Sequence, residues 1–184
     1  MKTAPLDHEA TIEDLWKVEG RAELIDGQIV EMSPTGKRPG WAAAVIHRSL
    51  EQQEAGGYGT VVSQGVGFVL RTPRTQMLSP DVAWWTGHTD LDGEFYAGAP
   101  ALAVEIRSKT DYGFAAERAM AYKRSLYFAS GCTVVWDVDV LRDETIRVCR
   151  LDDEAGTVFH RGELADAEPV VPGWRFAVDD LFTR

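Results

Sequence analysis

The sequence lacks any long apolar run. Across its 184 residues, no apolar stretch approaches the roughly 20 residues that a membrane-spanning helix requires. The first residues, MKTAPLDHEATIEDLW, also lack the apolar segment of a signal peptide and include several acids. From these two absences we expect a cytoplasmic protein with no membrane partner.

Motifs built on cysteine, histidine or serine are also missing. The two cysteines, Cys132 and Cys149, have no zinc-like spacing and lie in apolar or β-branched stretches, so we expect reduced, packed thiols. The four histidines are widely scattered along the chain. There is no GxSxG segment, and QGVGF is not followed by the helix start that a GxGxxG phosphate loop requires. Zinc, serine-triad and dinucleotide chemistry are therefore not indicated.

Basic residues are in deficit. The chain has 29 aspartates and glutamates against 19 lysines and arginines, which gives a formal net charge of −10. Such a charge opposes nonspecific adhesion to nucleic acid, because phosphates are repelled unless basic residues are concentrated locally. It also makes divalent cations plausible partners, because they can bridge acids and phosphates.

The order of local patterns predicts one α/β domain over residues 1–184 with a mixed sheet. An apolar fraction of 45% is typical of a globular domain. ATIEDLWKVEG predicts a short helix capped by Thr11, and RAELIDGQIVEMS predicts a hairpin that turns at the pair DG. After a loop, PTGKRPG, a second helix is expected from Trp41 to about Glu54. FAAERAMAYKRSLYFAS is the longest helical pattern, and most other apolar segments predict strands.

Lys123 is the one charged residue on an otherwise apolar face of this long helix. At about 100° per residue, the neighbours within about 60° of it are uncharged. A lysine can occupy such a face by extending its ammonium past a neighbouring side chain to solvent. The alternative is that Lys123 meets a buried carboxylate or a phosphate. Its neighbours on the face are Ala116, Ala119, Met120, Leu126, Tyr127 and Ser130.

Two acids interrupt apolar segments that predict strands. Asp81 follows a proline in LSPDVAWW and opens one strand, and Glu105 lies inside a second, ALAVEIRSKTD. A buried carboxylate costs several kcal/mol unless it is paired, protonated or bound to a metal. If the strands are adjacent, the two carboxylates approach one point, where their hard oxygen ligands suit Mg²⁺ or Mn²⁺. Alternatively, Glu105 pairs with Arg107 or Lys109, and Asp81 caps a turn.

Several segments together resemble a known family. SPDVAWW, ALAVEIRSKTD and KRSLYFASGCTVVWDVD, in this order, are similar to the Uma2 family (DUF820) of the PD-(D/E)XK nuclease superfamily. AELIDGQIVEMSP resembles the family's opening hairpin and VPGWRFAVDDLF its closing segment, so the likeness runs along nearly the whole chain. The resemblance implies a restriction-endonuclease-like core, with a mixed β-sheet flanked by helices and an N-terminal β-hairpin extension.

The resemblance also implies which residues bind metal. Asp81 matches the acid of the PD pair and Glu105 matches the following acid, so both are expected to bind Mg²⁺ or Mn²⁺, together with the backbone carbonyl of Ile106. Glu23, in AELIDG, matches a recurrent family acid. It is expected either as an additional ligand, as a group that supports the ligands, or as a solvent-facing hairpin residue.

The lysine of the superfamily pattern is displaced in this chain. Arg107 holds the position two residues after Glu105, and a guanidinium can clamp a phosphate but is a poor proton acceptor. The Uma2 pattern places its lysine on the next helix, which is Lys123, the residue that the helix face singles out independently. Ser108 matches the serine of the family's ExxS string, where it would steady Glu105 or cap the following turn.

These residues predict a metal-dependent endonuclease that hydrolyses nucleic-acid phosphodiester bonds, with DNA favoured over RNA. Asp81 and Glu105 would hold the metal. Lys123 would orient water or stabilise the transition state, because neighbouring acids hold its pKa up and make it a poor general base. The residues expected to contact phosphates are Arg107, Lys109, Lys37 and Arg38.

Two other functions stay open at the level of the sequence. The chain could be a catalytically degenerate nuclease fold that serves as a binding or assembly module, with a structural network Asp81–Lys123–Glu105 that needs no metal. It could also be an unrelated metal hydrolase acting on a small phosphate ester, because the sequence shows no basic groove for DNA. A homodimer is a further expectation, because the chain has six tryptophans, including Trp84 and Trp85 on opposite faces of one strand, and one of the six could be exposed at an interface.

Overall fold

The computed structural model describes residues 2–3, 8–88 and 92–183. Three α-helices lie in this part of the chain, and none of them is long and apolar enough to cross a membrane. The helices are α1 (Ile12–Leu15), α2 (Lys37–Glu51) and α3 (Phe114–Ala129). In chain order the strands are β1 (Lys2–Thr3), β2 (Ala22–Ile25), β3 (Gln28–Glu31), β4 (Thr60–Ser63), β5 (Phe68–Arg71), β6 (Thr75–Leu78), β7 (Val82–Trp85), β8 (Tyr96–Ala97), β9 (Leu102–Ile106), β10 (Val134–Asp139), β11 (Thr145–Arg150), β12 (Asp153–Phe159), β13 (Leu164–Asp166) and β14 (Arg175–Ala177).

Two six-stranded sheets and one two-stranded sheet make up the β-structure of the described residues. The central sheet has the order β12-β11-β10-β9-β7-β4. It is mixed, because β9 and β10 run parallel whereas β7 and β9 run antiparallel. The N-terminal sheet has the order β1-β3-β2-β6-β5-β8, and β13 pairs with β14. The mixed α/β fold predicted from the sequence is thereby confirmed.

The two faces of the central sheet carry separate hydrophobic clusters. Along β7, Val82 and Trp84 belong to one cluster and Ala83 and Trp85 to the other, because successive strand residues point to opposite faces. Helix α2 covers the first face, while the C-terminal end of α3 and the N-terminal sheet cover the second. Both of these tryptophans are buried, and among the described residues the exposed tryptophan is Trp16, which is 60% exposed.

The predicted hairpin forms between β2 and β3 and is tied to α3. Asp26 and Gly27 form its turn with positive φ angles of 51° and 72°. The Asp26 carboxylate accepts hydrogen bonds from the amide of Gln76 at 2.9 Å and from the hydroxyl of Tyr122 at 2.6 Å. These bonds hold the hairpin against α3, the helix that carries Lys123.

Two features of the fold differ from the sequence prediction. Helix α2 begins at Lys37 rather than at Trp41, because Pro39 lies in the first turn, where a missing N–H has no intrahelical partner to lose. The predicted loop KRPG is therefore helical. Strand β6, and therefore the second large sheet, was not predicted. Three of the four residues of β6 are buried in succession, so the strand lacks the alternation of buried and exposed residues that marks a strand in a sequence.

Candidate active site

Asp81 and Glu105 lie on adjacent strands and line the same pocket. Glu105 is in β9, and Asp81 immediately precedes β7, which pairs antiparallel with β9. The backbone N–H of Asp81 donates to the carbonyl oxygen of Val104 at 2.9 Å, and its Oδ2 accepts the N–H of Ile106 at 2.8 Å. These bonds fix the Asp81 carboxylate at the end of β9. The pocket that both acids line also contains Lys123.

Lys123 binds two carboxylates from different sheets. Its Nζ lies 2.8 Å from Oε2 of Glu105 and 2.8 Å from Oε1 of Glu23. The side chains of Lys123 and Glu23 are 11% and 1% exposed, so the lysine turns inward and Glu23 is not a solvent-facing hairpin residue. The predicted alternative, a network of Asp81, Lys123 and Glu105, is therefore wrong in one of its three residues. Glu23 takes the place of Asp81, which is held by other donors.

Tyr127 and the backbone of Ser79 support the two glutamates. The buried hydroxyl group of Tyr127 donates to Oε1 of Glu105 at 2.7 Å. Because Tyr127 follows Lys123 by one helical turn, α3 delivers both donors to the same carboxylate. The N–H of Ser79 donates to Oε1 of Glu23 at 2.7 Å. The buried Glu23 and the half-buried Glu105 thus have the hydrogen bonds that a charge shielded from solvent requires.

Burial and charged neighbours shift the pKa values of Glu105 and Lys123. Burial raises the pKa of Glu105 to about 7, and the charges of Glu23 and Asp81 add to this rise while Lys123 opposes it. Burial by itself would lower the pKa of Lys123, but the charges of the two glutamates outweigh it and raise the pKa above its ordinary value. Lys123 therefore stays protonated, which suits charge stabilisation better than proton abstraction.

Gln64 contacts Asp81, although no pattern in the sequence assigns it a role. Its amide nitrogen donates to Oδ1 of Asp81 and, at 3.2 Å, to the hydroxyl of Thr35. Both carboxylate oxygens of Asp81 are therefore hydrogen-bonded. Gln64 directly follows β4, whose last residue, Ser63, pairs with Val82 of β7. Only this strand pairing brings Gln64 to Asp81, and no local pattern of the sequence predicts it.

Arg107 is engaged by two acids. Its Nε and Nη2 each donate to Asp137 at 2.7 Å, and its Nη1 pairs with Glu117. Hydrogen bonding to Asp137 and Glu117 raises the pKa of Arg107 despite its burial. In the register of β9 and β10, the residue opposite Glu105 is Asp137. The alternative that Glu105 forms an ion pair with Arg107 is therefore not observed, because Arg107 is bound to Asp137 and Glu117. A phosphate-binding role of Arg107 stays a prediction, and it would require these ion pairs to open.

The other residues expected at phosphates do not line this pocket. Lys109 is exposed and is not among the residues that line the pocket. Lys37 and Arg38, in the first turn of α2, line a separate surface cavity. The hydroxyl of Ser108 lies 3.0 Å from that of Thr110, so of the two roles expected for Ser108 the contact within the turn is the one observed.

The donor set of the pocket suits a hard divalent cation. Among the described residues, no three Asp, Glu, His or Cys side chains are arranged as a group that could hold a metal ion. Mg²⁺ does not depend on such a cage, because it commonly binds one or two carboxylates and keeps several waters. Six acidic and four basic residues line the pocket, and this formal excess of negative charge favours a cation there. The residue types therefore fit Mg²⁺ or Mn²⁺, and the carbonyl of Ile106 stays a predicted ligand.

This fold has a counterpart among known proteins. A model of the Uma2 family, described as "Putative restriction endonuclease", matches residues 12–179. The chain is also similar in structure to a protein from Anabaena variabilis ATCC 29413 described as "a putative nuclease belonging to DUF820". The TM-score is 0.75 and the sequence identity 16%, over 94% of this chain and 97% of that one. No curated protein matches the chain. The solved structure establishes a shared fold, and because the family model spans nearly the whole sequence, the chain belongs to the Uma2 family.

Proposed function

We propose that the chain is a metal-dependent nuclease that hydrolyses phosphodiester bonds of nucleic acid, with DNA favoured over RNA. The observation that carries the proposal is the convergence of Asp81 and Glu105, from adjacent strands, on one pocket that also contains Lys123. Membership of a family described as "Putative restriction endonuclease" supports the same class of reaction.

The oxygen ligands of the pocket would hold the cation. Asp81 and Glu105 would bind Mg²⁺ or Mn²⁺ through their carboxylates, with the carbonyl of Ile106 as a further ligand and Glu23 as a ligand or a support. A bound divalent cation lowers the pKa of its water and stabilises negative charge on a phosphoryl oxygen. The hydrogen bonds from Gln64 and from the backbone orient the Asp81 carboxylate.

Lys123 would act on the reacting water or phosphate, and Tyr127 would position Glu105. The protonated ammonium of Lys123 would orient the attacking water or stabilise the charge that develops on the phosphoryl oxygens. The hydroxyl of Tyr127 holds one oxygen of Glu105 at 2.7 Å and so limits the rotation of that carboxylate. Both groups come from one face of α3, so the helix fixes their spacing.

The test is a titration of Mn²⁺ or Mg²⁺ followed by calorimetry, and then a cleavage assay on plasmid and single-stranded DNA. The wild type is expected to bind the cation and to cleave, whereas Asp81→Asn and Glu105→Gln lose both properties. Lys123→Ala is expected to bind the cation and to lose cleavage. Asp152→Asn, at an exposed acid between β11 and β12, is the control and should behave as wild type. If the wild type binds no divalent cation, the nuclease proposal fails.

A binding or assembly module is the second candidate, and the closed ion-pair network favours it. Lys123 neutralises part of the charge of Glu105 and Glu23 without a metal. For such a module, Glu23→Gln and Glu105→Gln would lower the melting temperature, and cations would have no effect on either variant or on the wild type. Hydrolysis of a small phosphate ester is the third candidate, since the net charge of −10 disfavours a long polyanion.

We also propose that the protein works in the cytoplasm and as a homodimer. Sedimentation velocity of the purified chain tests the dimer, and a single species with the mass of one chain would contradict it.

A further inference from the structure

Arg21 has a guanidinium group whose Nε and Nη2 are buried without a hydrogen-bond partner. In the part of the chain that the structure describes, no other lysine or arginine has buried nitrogens in this state. An unpaired buried donor is costly, more so when its group is charged, and a guanidinium does not lose its proton at physiological pH. The guanidinium of Arg21 therefore lacks, among the described residues, the acceptors that these two nitrogens require.

Arg21 lies at the pocket that contains the candidate catalytic acids. It directly precedes β2, and its carbonyl oxygen accepts the N–H of Met32 at 2.9 Å, which continues the pairing of β2 with β3. Alternate residues of a strand point to the same face, so Arg21 and Glu23 share a face. Arg21, Glu23, Asp81 and Glu105 all line this pocket. The guanidinium thus stands beside the acids, on the side of the N-terminal sheet.

The central acids of the pocket are already bound to other donors. Glu23 and Glu105 are bound to Lys123, and Asp81 accepts two hydrogen bonds. Asp137 is bound to Arg107. These carboxylates therefore have less to offer a further guanidinium. An anionic group of the substrate with several oxygen atoms is a better acceptor for the N–H groups of Arg21 than these carboxylates are.

We propose that Arg21 binds a phosphate of the nucleic-acid strand next to the scissile phosphodiester. The inference rests on the proposed nuclease function and names the anchor that positions the substrate in the same site. Guanidinium and phosphate match in geometry, because two parallel N–H groups can donate to two phosphate oxygens. In a chain of net charge −10, one cation without an acidic partner has a large influence on where a polyanion binds. Arg21 takes the role that the sequence suggested for Arg107, whose charge is compensated by two acids.

The experiment measures binding of a fluorescein-labelled oligonucleotide by anisotropy, at a series of salt concentrations. Ca²⁺ replaces Mg²⁺, and a gel confirms that the probe stays intact. The variants are Arg21→Met, which removes the charge, and Arg21→Lys, which keeps the charge but not the fork. Arg71→Met removes an exposed charge of β5 outside the pocket and is the matched control.

Arg21→Met is expected to weaken binding by about 10- to 100-fold, the loss of a charge-assisted hydrogen-bonded contact. The slope of log affinity against log salt should fall by about 0.7 to 0.9, the loss of one phosphate contact. Arg21→Lys should keep the wild-type slope and bind about 5-fold more weakly, since it lacks the bidentate geometry. Arg71→Met should change neither quantity beyond what the loss of one distant charge produces. Titration of Mn²⁺ should give an affinity no weaker than that of the wild type for all three variants, because removing a positive charge beside the acids does not disfavour a cation.

Several results would overturn the inference. If Arg21→Met binds and responds to salt as Arg71→Met does while the wild type cleaves DNA, Arg21 is not a phosphate ligand and the nuclease proposal stands. If Glu31→Gln, at an exposed acid that also lines the pocket, weakens oligonucleotide binding as much as Arg21→Met does, Arg21 serves an internal ion pair and does not bind phosphate. If Arg21→Met does not fold, wild-type affinity of Arg21→Lys would contradict the bidentate contact. If the wild type binds Mn²⁺ but no nucleic acid, both the phosphate-binding role of Arg21 and the proposal of a nucleic-acid substrate fail.

Discussion

Glu23 and Glu105 bind the same ammonium group although they belong to different sheets. Nζ of Lys123 lies 2.8 Å from an oxygen of each carboxylate. The N-terminal sheet, the central sheet and α3 therefore meet at one buried charge. Because a buried charge is costly when it loses its partner, the stability of the fold and the chemistry of the pocket depend on the same three side chains.

Replacement of Lys123 by methionine is expected to destabilise the metal-free protein. The substitution keeps the apolar part of the side chain and leaves Glu23 and Glu105 without their cation, which should lower the free energy of unfolding by about 3–5 kcal/mol. Mn²⁺ should restore part of this loss, because it binds only the folded state. Urea denaturation in EDTA and in Mn²⁺ measures both effects. Lys37→Met, at an exposed position of α2, is the control, and an equal effect of the two substitutions would contradict the prediction.

Removal of the hydroxyl group of Tyr127 should destabilise the protein through Glu105. Tyr127→Phe keeps the buried ring and removes the donor 2.7 Å from Oε1 of Glu105, so we expect a loss of about 1–3 kcal/mol. Thermal or urea unfolding measures it. Tyr58→Phe is the matched control, since Tyr58 is 67% exposed and its substitution should be nearly neutral. A neutral Tyr127→Phe would show that Glu105 does not depend on this bond.

Gln64 should affect chemistry more than stability. Gln64→Leu removes the amide that binds Oδ1 of Asp81, and loss of a group that orients a metal ligand typically costs about 10- to 100-fold in metal affinity or activity. Calorimetric titration of Mn²⁺ and the initial rate of DNA cleavage measure the two quantities. Gln52→Leu, at an exposed residue after α2, is the control. Unchanged metal affinity and rate would remove Gln64 from the site.

Asp139 should contribute stability that is lost in acid. Burial raises its pKa, but hydrogen bonds from Tyr112 and from the N–H groups of Leu141 and Arg142 outweigh burial, so the pKa lies below the ordinary value in the folded state. The contribution is therefore present above about pH 4 and is lost as the pH falls through the lower folded-state pKa. Asp139→Asn should be less stable at pH 7 and should lose less stability between pH 5 and acid.

Urea unfolding at a series of pH values tests this dependence. Asp152→Asn, at an exposed acid, should keep the wild-type slope of stability against pH. Parallel curves for Asp139→Asn and the wild type would contradict the prediction.

Local patterns predicted the parts of the site that one element presents by itself. The helical period placed Lys123 on an inward face, and the interruption of apolar strands marked Asp81 and Glu105, both of which are half-buried. Each inference needs only the geometry of one helix or strand. The hairpin turn and the two buried thiols were predicted on the same basis and are confirmed.

The partners across the fold could not be predicted in this way. A strand pattern indicates the face on which a residue lies but not which strand lies beside it. The pairing of β4 with β7, which brings Gln64 to Asp81, therefore could not be predicted from the sequence. The same applies to Arg21, whose buried nitrogens become visible only when β2 is seen against the pocket. The start of α2 was misread because a proline ends helices in their interior but is tolerated in the first turn.

The sequence by itself thus determined the α/β class, the two strand acids and the inward lysine, because apolar periodicity is a local property of the chain. Only the tertiary structure decided that Glu23, and not Asp81, shares Lys123 with Glu105. It also decided that Arg107 is held by Asp137 and Glu117. Such choices follow from which strands become neighbours, and this is settled by burial of both faces of the central sheet at once rather than by any single segment.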